Sequence, residues 1–361
     1  MEANVELRDL LLQMRADNIL NDEDLLLLDR PRARRNLHMN LPYWQFEKFD
    51  LEQMADNECK VEFRFCKADI YTLTHTFQFP EVLRCYNGVA VDSVEALCVC
   101  LKRFAYPCRY VDLISRFGRP VPQLCMIANL VTDMIYNRFQ HLLQDLNQPW
   151  LSPQNLQSFA DAIHNRGAAL DNCWGFVDGT VRPICRPGRN QRVVYNGHKR
   201  VHALKFQSVV APNGLIANLY GPVEGRRHDS AMLAMSNLLP QLAQHSFNPN
   251  GQPLCIYGDP AYPHRLHLQR PFQRRAGLTE EEQAFNQSMS QVRVSVEWVF
   301  GDIVNYFKFT DYKKNLKIGL SSVGKIYSVC ALLRNALTCL HGSNTSAYFD
   351  MQPPALNDYF L

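Results

Sequence analysis

No stretch of about 18 uncharged apolar residues, the length a membrane helix needs, occurs in the 361-residue chain. Its most apolar segment, residues 320–340, carries Lys325 and Arg334, so a membrane span is not expected. The opening stretch MEANVELRDLLLQMRADN mixes acidic and basic side chains among its apolar ones and has no small-residue cleavage site, which argues against a secretory signal. C-x-x-C pairs are missing as well. The 12 cysteines follow no regular framework, which argues against a disulfide scaffold and fits reduced thiols in an intracellular compartment. The closest set, Cys98, Cys100 and Cys108, has no histidine nearby, and the pair His198 and His202 sits in a basic run leading into a strand, so neither is expected to hold zinc. GLSSVGKI, Gly319 to Ile326, nearly spells a phosphate-binding loop, but Ile326 stands where a Ser or Thr is required and no clear strand precedes it, which rejects nucleotide binding. An excess of one charge sign is also lacking: the net charge of +3 gives only weak support for a nucleic-acid partner.

What is present is an ordinary globular composition, 47% hydrophobic and 20% charged, in a chain long enough for two or three domains. Positive charge is concentrated locally, in RPRARR (Arg30, Arg32, Arg34, Arg35), RPGRNQR (Arg186, Arg189, Arg192), GHKR (Lys199, Arg200) and GRRHD (Arg226, Arg227). One such run is usually a solvated surface or a localisation signal, whereas several in loops suit phosphate contacts. Residues 1–150 read as helical, with apolar clusters behind acidic starts at 4–14 and 21–29. Within 92–139, Asp92 or Ser93 can cap one helix, a second runs near Arg109 to Phe117 and stops at Gly118, and Pro122 opens a third. That order is a candidate helix-turn-helix for DNA binding or assembly, with an ordinary helical bundle as the equal alternative.

From about Leu170 the period becomes strand-like. CWGFVDGTVRPICRP holds Asp178 after an apolar run; VHALKFQSVVAPNGLIANLYGPV is a hairpin turning at Pro212, Asn213 and Gly214. A helix capped by Asp229 or Ser230 follows, then the short buried strand of PLCIYGDPAYP ending at Asp259, then one or two helices carrying Glu297. Strand, hairpin, helix, strand, helix is the order of a ribonuclease-H-like core, an α/β fold with a mixed sheet flanked by helices. Its first strand lies beside the strand after the first helix, so Asp178 and Asp259 should project side by side, with Glu297 facing them from a helix. Three such carboxylates repel one another unless matched by cations, and oxygen-only ligation favours two hard divalent ions, Mg2+ or Mn2+, suited to in-line attack on phosphorus.

The blocks WGFVDGTVRPICRP, YNGHKRVHALKFQSVVAPNGLIANLYGPVEGRRHDSAML, YGDPAYP and VRVSVEWVFGDIV resemble, in order from Cys173 to Phe309, those of PIF/Harbinger transposases and their nuclease relatives, DDE-superfamily endonucleases. The resemblance implies metal-dependent cutting of DNA at transposon ends and joining of the freed 3'-hydroxyl to target DNA. It implies catalytic and metal-binding roles for Asp178, Asp259 and Glu297, with Arg293 and Phe300 in register with the glutamate block. It also implies terminal inverted repeats and target DNA as ligands, a Myb-like accessory partner, a homo-oligomer, and a nuclear location with shuttling through the cytoplasm. Arg186, Arg189, Lys199, Arg200, Arg226, Arg227 and Arg293 are the expected DNA contacts. Val304 and Asn305 stand where many members carry a basic residue, which bears on full transposition activity. Asp229 competes with Asp259 as second ligand, though a helix cap beside Arg226 and Arg227 is the preferred reading for it. The expected organisation is a helical region over 1–150, a catalytic domain over 170–342 with an insertion at about 263–285, and an extended tail over 343–361. The alternatives are a domesticated relative that binds DNA or chromatin without cutting, and a nuclease acting on RNA or hybrids.

Overall fold

The computed structural model describes residues 42–273 and 277–361. The helices expected over 4–14 and 21–29 and the arginines from Arg30 to Arg35 lie outside the described residues. The helical part comprises α1 (Asp56–Phe63), α2 (Lys67–Thr76), α3 (Ser93–Ala105), α4 (Val121–Phe139) and α5 (Pro153–Asn165), with a small hairpin of β1 (Val82–Arg84) and β2 (Ala90–Asp92) between α2 and α3.

Asp92 is the cap of α3, its carboxylate accepting the Val94 and Glu95 N–H groups, so two otherwise unpaired donors are satisfied where the strand ends. Gly118 stops the next element in a left-handed conformation. That middle element is a 3-10 turn, Tyr110–Leu113, running into a single α turn, Ile114–Phe117. Pro122 falls in the first turn of α4, as expected.

α4 differs from a free recognition helix. It buries Leu124, Ile127, Ala128, Val131, Ile135 and Phe139 between α3 on one side and a later helix on the other. A stripe this apolar gains more from burial than from facing a groove, and the segment is a layer of a helical bundle. The helix-turn-helix is not shown.

The second half is one mixed sheet in the order β6–β5–β3–β7–β8. Its strands are β3 (Cys173–Pro183), β5 (Val201–Val210), β6 (Ile216–Glu224), β7 (Cys255–Tyr257) and β8 (Leu268–Gln269), with the short β4 (Tyr195–Asn196) pairing antiparallel with the first two residues of β5. β5 pairs antiparallel with both β3 and β6, and β7 runs parallel to β3 and β8. The β5–β6 hairpin turns at Gly214, whose φ of +83° only glycine adopts without strain. Asp178 and Gly179 form no turn: β3 runs unbroken through both. β8 falls in the stretch expected to be an insertion, which therefore widens the sheet.

Helices then cover the sheet. α6 (Asp229–Met235) and α7 (Leu238–His245) follow β6; α8 (Glu280–Arg293) and α9 (Ser295–Tyr306) follow β8; α10 (Val323–His341) comes last of the long ones. α5 and α9 pack on β3, α6 on β5, and α10 against α4, α9 and β6. By length and composition α10 could cross a membrane, yet 72% of its most apolar window is buried within the protein.

One hydrophobic cluster runs from Leu51 through the sheet to Phe360. The C-terminal residues belong to it, which corrects the extended tail expected over 343–361. α11 (Asn344–Phe349) and α12 (Leu356–Tyr359) bury Phe349, Leu356 and Tyr359, and the buried Phe360 ring just after α12 packs against Phe77 just after α2 and Phe139 of α4 at 5.2 and 5.0 Å. Aromatic payload of this size overcomes the extended bias of the prolines before it.

Candidate active site

The register of β3 on β7 sets the site. Phe176 lies opposite Tyr257, so Asp178 and Asp259, each two residues further along, stay in step where β7 ends. Asp178 Oδ1 accepts the Gly179 N–H at 2.9 Å, and Asp259 Oδ1 accepts the Ala261 N–H at 3.0 Å. A third carboxylate joins them. Asp229 opens α6 directly behind Gly179, where a Cβ added to the glycine would lie 2.5 Å from Asp229 Oδ1. The glycine is therefore required for this close approach.

Asp229 is not the helix cap expected of it. His228 occupies that position, and no side chain makes a capping hydrogen bond there. The Asp229 carboxylate instead meets Lys205 of β5, with Nζ 2.6 Å from Oδ1, and the same ammonium donates to the Arg227 carbonyl at 2.8 Å. Lys205 is only 6% exposed. A buried ammonium demands such a partner.

Crowding of like charge shows in the titration. Burial raises the Asp178 pKa to about 6; the Arg293 guanidinium and the Gly179 N–H hold it down, while the Asp259 and Asp229 charges push it up. Burial raises Asp259 too, the Ala261 N–H lowers it, Asp229 adds to the rise, and Arg293 and Lys205 oppose it. Arg293, the last residue of α8, places Nη1 3.4 Å from Asp178 Oδ2 and has no hydrogen-bond acceptor for that buried atom. Tyr262 is fully buried with an unpartnered hydroxyl, and its pKa is pushed well above the ordinary phenol by burial and then by Asp229, Asp178 and Asp259.

Glu297 stands apart. It is exposed in the first turn of α9, four residues beyond Arg293 with only Val294 outside helix between them, so it lies about one turn along from the arginine that touches Asp178. Among the described residues no three His, Cys, Asp or Glu side chains are arranged to hold one ion. The expected convergence of Asp178, Asp259 and Glu297 into one ligand set is therefore not present: the carboxylate neighbour that raises both aspartates is Asp229, and Asp259 adds to the rise of Asp178. Their chemistry does fit hard divalent ions. The donors are carboxylate oxygens whose pKa values burial raises, beside a buried hydroxyl with no partner.

The expected DNA contacts divide in two. Arg186, Arg189, Lys199, Arg200 and Arg226 are exposed. Arg227 is tied to Glu224 at 2.8 Å, and Arg293 faces Asp178, not the outer surface. Lys205 and Tyr262 are the participants that sequence reading passed over. A lone lysine inside the apolar strand VHALKFQSVV was the available signal for the first. Nothing local marks the second, since its surroundings come from three other elements.

Residues 177–335, from β3 into α10, match the family model of the DDE superfamily endonucleases. No curated protein and no solved structure matches the chain.

Proposed function

We propose, on the premise that residues 177–335 form a DDE-type nuclease domain, that this protein is a metal-dependent DNA endonuclease and transposase of PIF/Harbinger type. It cuts phosphodiester bonds at terminal inverted repeats and joins 3'-hydroxyl ends to target DNA. The observation that carries this reading is the matched register of Asp178 and Asp259 on neighbouring parallel strands, with Asp229 pressed in beside them. Asp178 and Asp259 would hold the divalent ions, Mg2+ or Mn2+, with Asp229 or Glu297 as the third arm. Such ions activate a water and stabilise the leaving oxygen of an in-line displacement.

The chain's own groups prepare that chemistry. Arg293 orients Asp178 and keeps its carboxyl ionisable near neutral pH; Lys205 holds Asp229 in place; Gly179 and Gly258 leave the strand ends open, since a Cβ at Gly258 would meet Tyr262 and Val177 at 2.7 and 2.8 Å. Exposed Arg186, Arg189, Lys199, Arg200 and Arg226 would hold the DNA backbone. A Myb-like accessory protein, a homo-oligomer able to hold two DNA ends, and a nuclear location with cytoplasmic shuttling complete the proposal.

A second reading, DNA or chromatin binding without cutting, is favoured by the solvent-facing Glu297 and by Arg293 standing where a cation would neutralise Asp178. One assay separates them. Duplexes bearing candidate terminal repeats, incubated with Mg2+ or Mn2+, should be nicked by the protein and not by Asp178→Asn or Asp259→Asn. Glu297→Gln and Asp229→Asn, compared side by side, identify the third arm by the larger loss. Tight binding with no nicking would select the second reading, and preferential cutting of RNA–DNA hybrids would overturn both.

A further inference from the structure

A cavity of about 240 Å3 opens where β3 ends, lined by Arg186 and Arg200 from one part of the chain and by Lys313 and Lys314 from another, together with Cys185 and His202. The two sides are far apart in sequence. The Cys185 N–H donates to the Leu316 carbonyl at 3.0 Å, which fixes the lysine loop against the chain leaving β3. No carboxylate lines the cavity, all four cations are exposed, and among the described residues none of them makes an ion pair. Four like charges drawn together in so small a space repel one another until an anion enters. An isolated surface lysine needs no such account; this convergence of four cations from two segments does.

We infer that this cavity is a second phosphate-binding site, which grips the backbone of the duplex at a fixed distance from the cut. The inference rests on the DNA-nuclease reading of the site at Asp178. β3 itself sets the distance. Asp178 and Pro183 are five residues apart on one strand, roughly 17 Å at the usual rise, and the cations lie beyond Pro183. A duplex turns once in about 34 Å. The cavity therefore meets phosphates about half a turn or more from the one at Asp178. A duplex long enough to touch both places binds more tightly than one that reaches the carboxylates alone.

The test is the salt dependence of binding in EDTA, where cutting is suppressed, by fluorescence anisotropy with a labelled duplex of about 30 base pairs. Neutralising two phosphate contacts in Lys313→Ala/Lys314→Ala should lower the slope of log K against log salt by about 1.8, at roughly 0.9 per contact. Lys48→Ala/Arg84→Ala, which removes two exposed cations elsewhere, should leave the slope unchanged. Matching thermal midpoints for the parent and both double variants establish that the lysines are not needed for folding. An unchanged slope on the long duplex overturns the second site while leaving the nuclease reading intact. No duplex binding by the parent overturns both. Displacement of the parent's binding by a polyglutamate peptide but not by unlabelled duplex would assign the cavity to an acidic protein partner and overturn the inference.

Discussion

Asp178 carries a heavy electrostatic load. Its carboxyl titrates near 6 in place of 3.8, so between those values the native state holds a proton that the unfolded chain has released. Stability therefore falls as pH rises through that window and stays lower above it, by up to about 3 kcal/mol. Without divalent ions, Asp178→Asn should raise the thermal midpoint by roughly 2 to 5 °C at pH 7.5, and the gain should vanish towards pH 4. Added Mg2+ should stabilise the parent and leave the variant unmoved. A gain independent of pH would show that the carboxylate is not strained by its neighbours. At this scale the sequence placed Asp178 and Asp259 as neighbours through the strand arrangement of a ribonuclease-H-like fold, and the β3–β7 register keeps them in step. It misassigned Asp229, because local sequence sees a helix start and cannot see Lys205 across the sheet.

α10 does more than cover the core. Asn335, fully buried on it, accepts the Ile216 N–H and donates to the Ile216 carbonyl, both at 3.0 Å, and donates to the Tyr359 hydroxyl at 2.7 Å. It thereby satisfies the start of β6 as a neighbouring strand would and ties α12 to the same point. Asn335→Ala should cost about 2 to 4 kcal/mol, since a buried N–H and a buried carbonyl lose their partners together. The denaturant midpoint measures this, and a loss under about 1 kcal/mol would show that water replaces the amide. The helical period of the C-terminal segment and its stop at Gly342 were legible in the sequence. The amide's role was not, because its partners lie 119 and 24 residues away.

The whole molecule is held together by a core that both halves share, closed by its last residues. Ending the chain at Gly342 would uncover Phe77 and Phe139 and remove Tyr359 and Phe360. Such a truncated protein should lose cooperative unfolding and bind a hydrophobic dye, in calorimetry and fluorescence; a midpoint equal to the parent's would mean that the last residues are dispensable. The sequence by itself determined the order of strands and helices, and the caps at Asp92 and Gly118. Each depends on periodicity, turn chemistry or chain order, all of which are local. Only the tertiary structure decided that α4 is a core layer, that the last residues fold back, that Asp229 and not Glu297 crowds the two aspartates, and that Lys313 and Lys314 face Arg186 and Arg200. Burial and charge neutralisation choose among partners distant in sequence, and no window of sequence contains both sides of those choices.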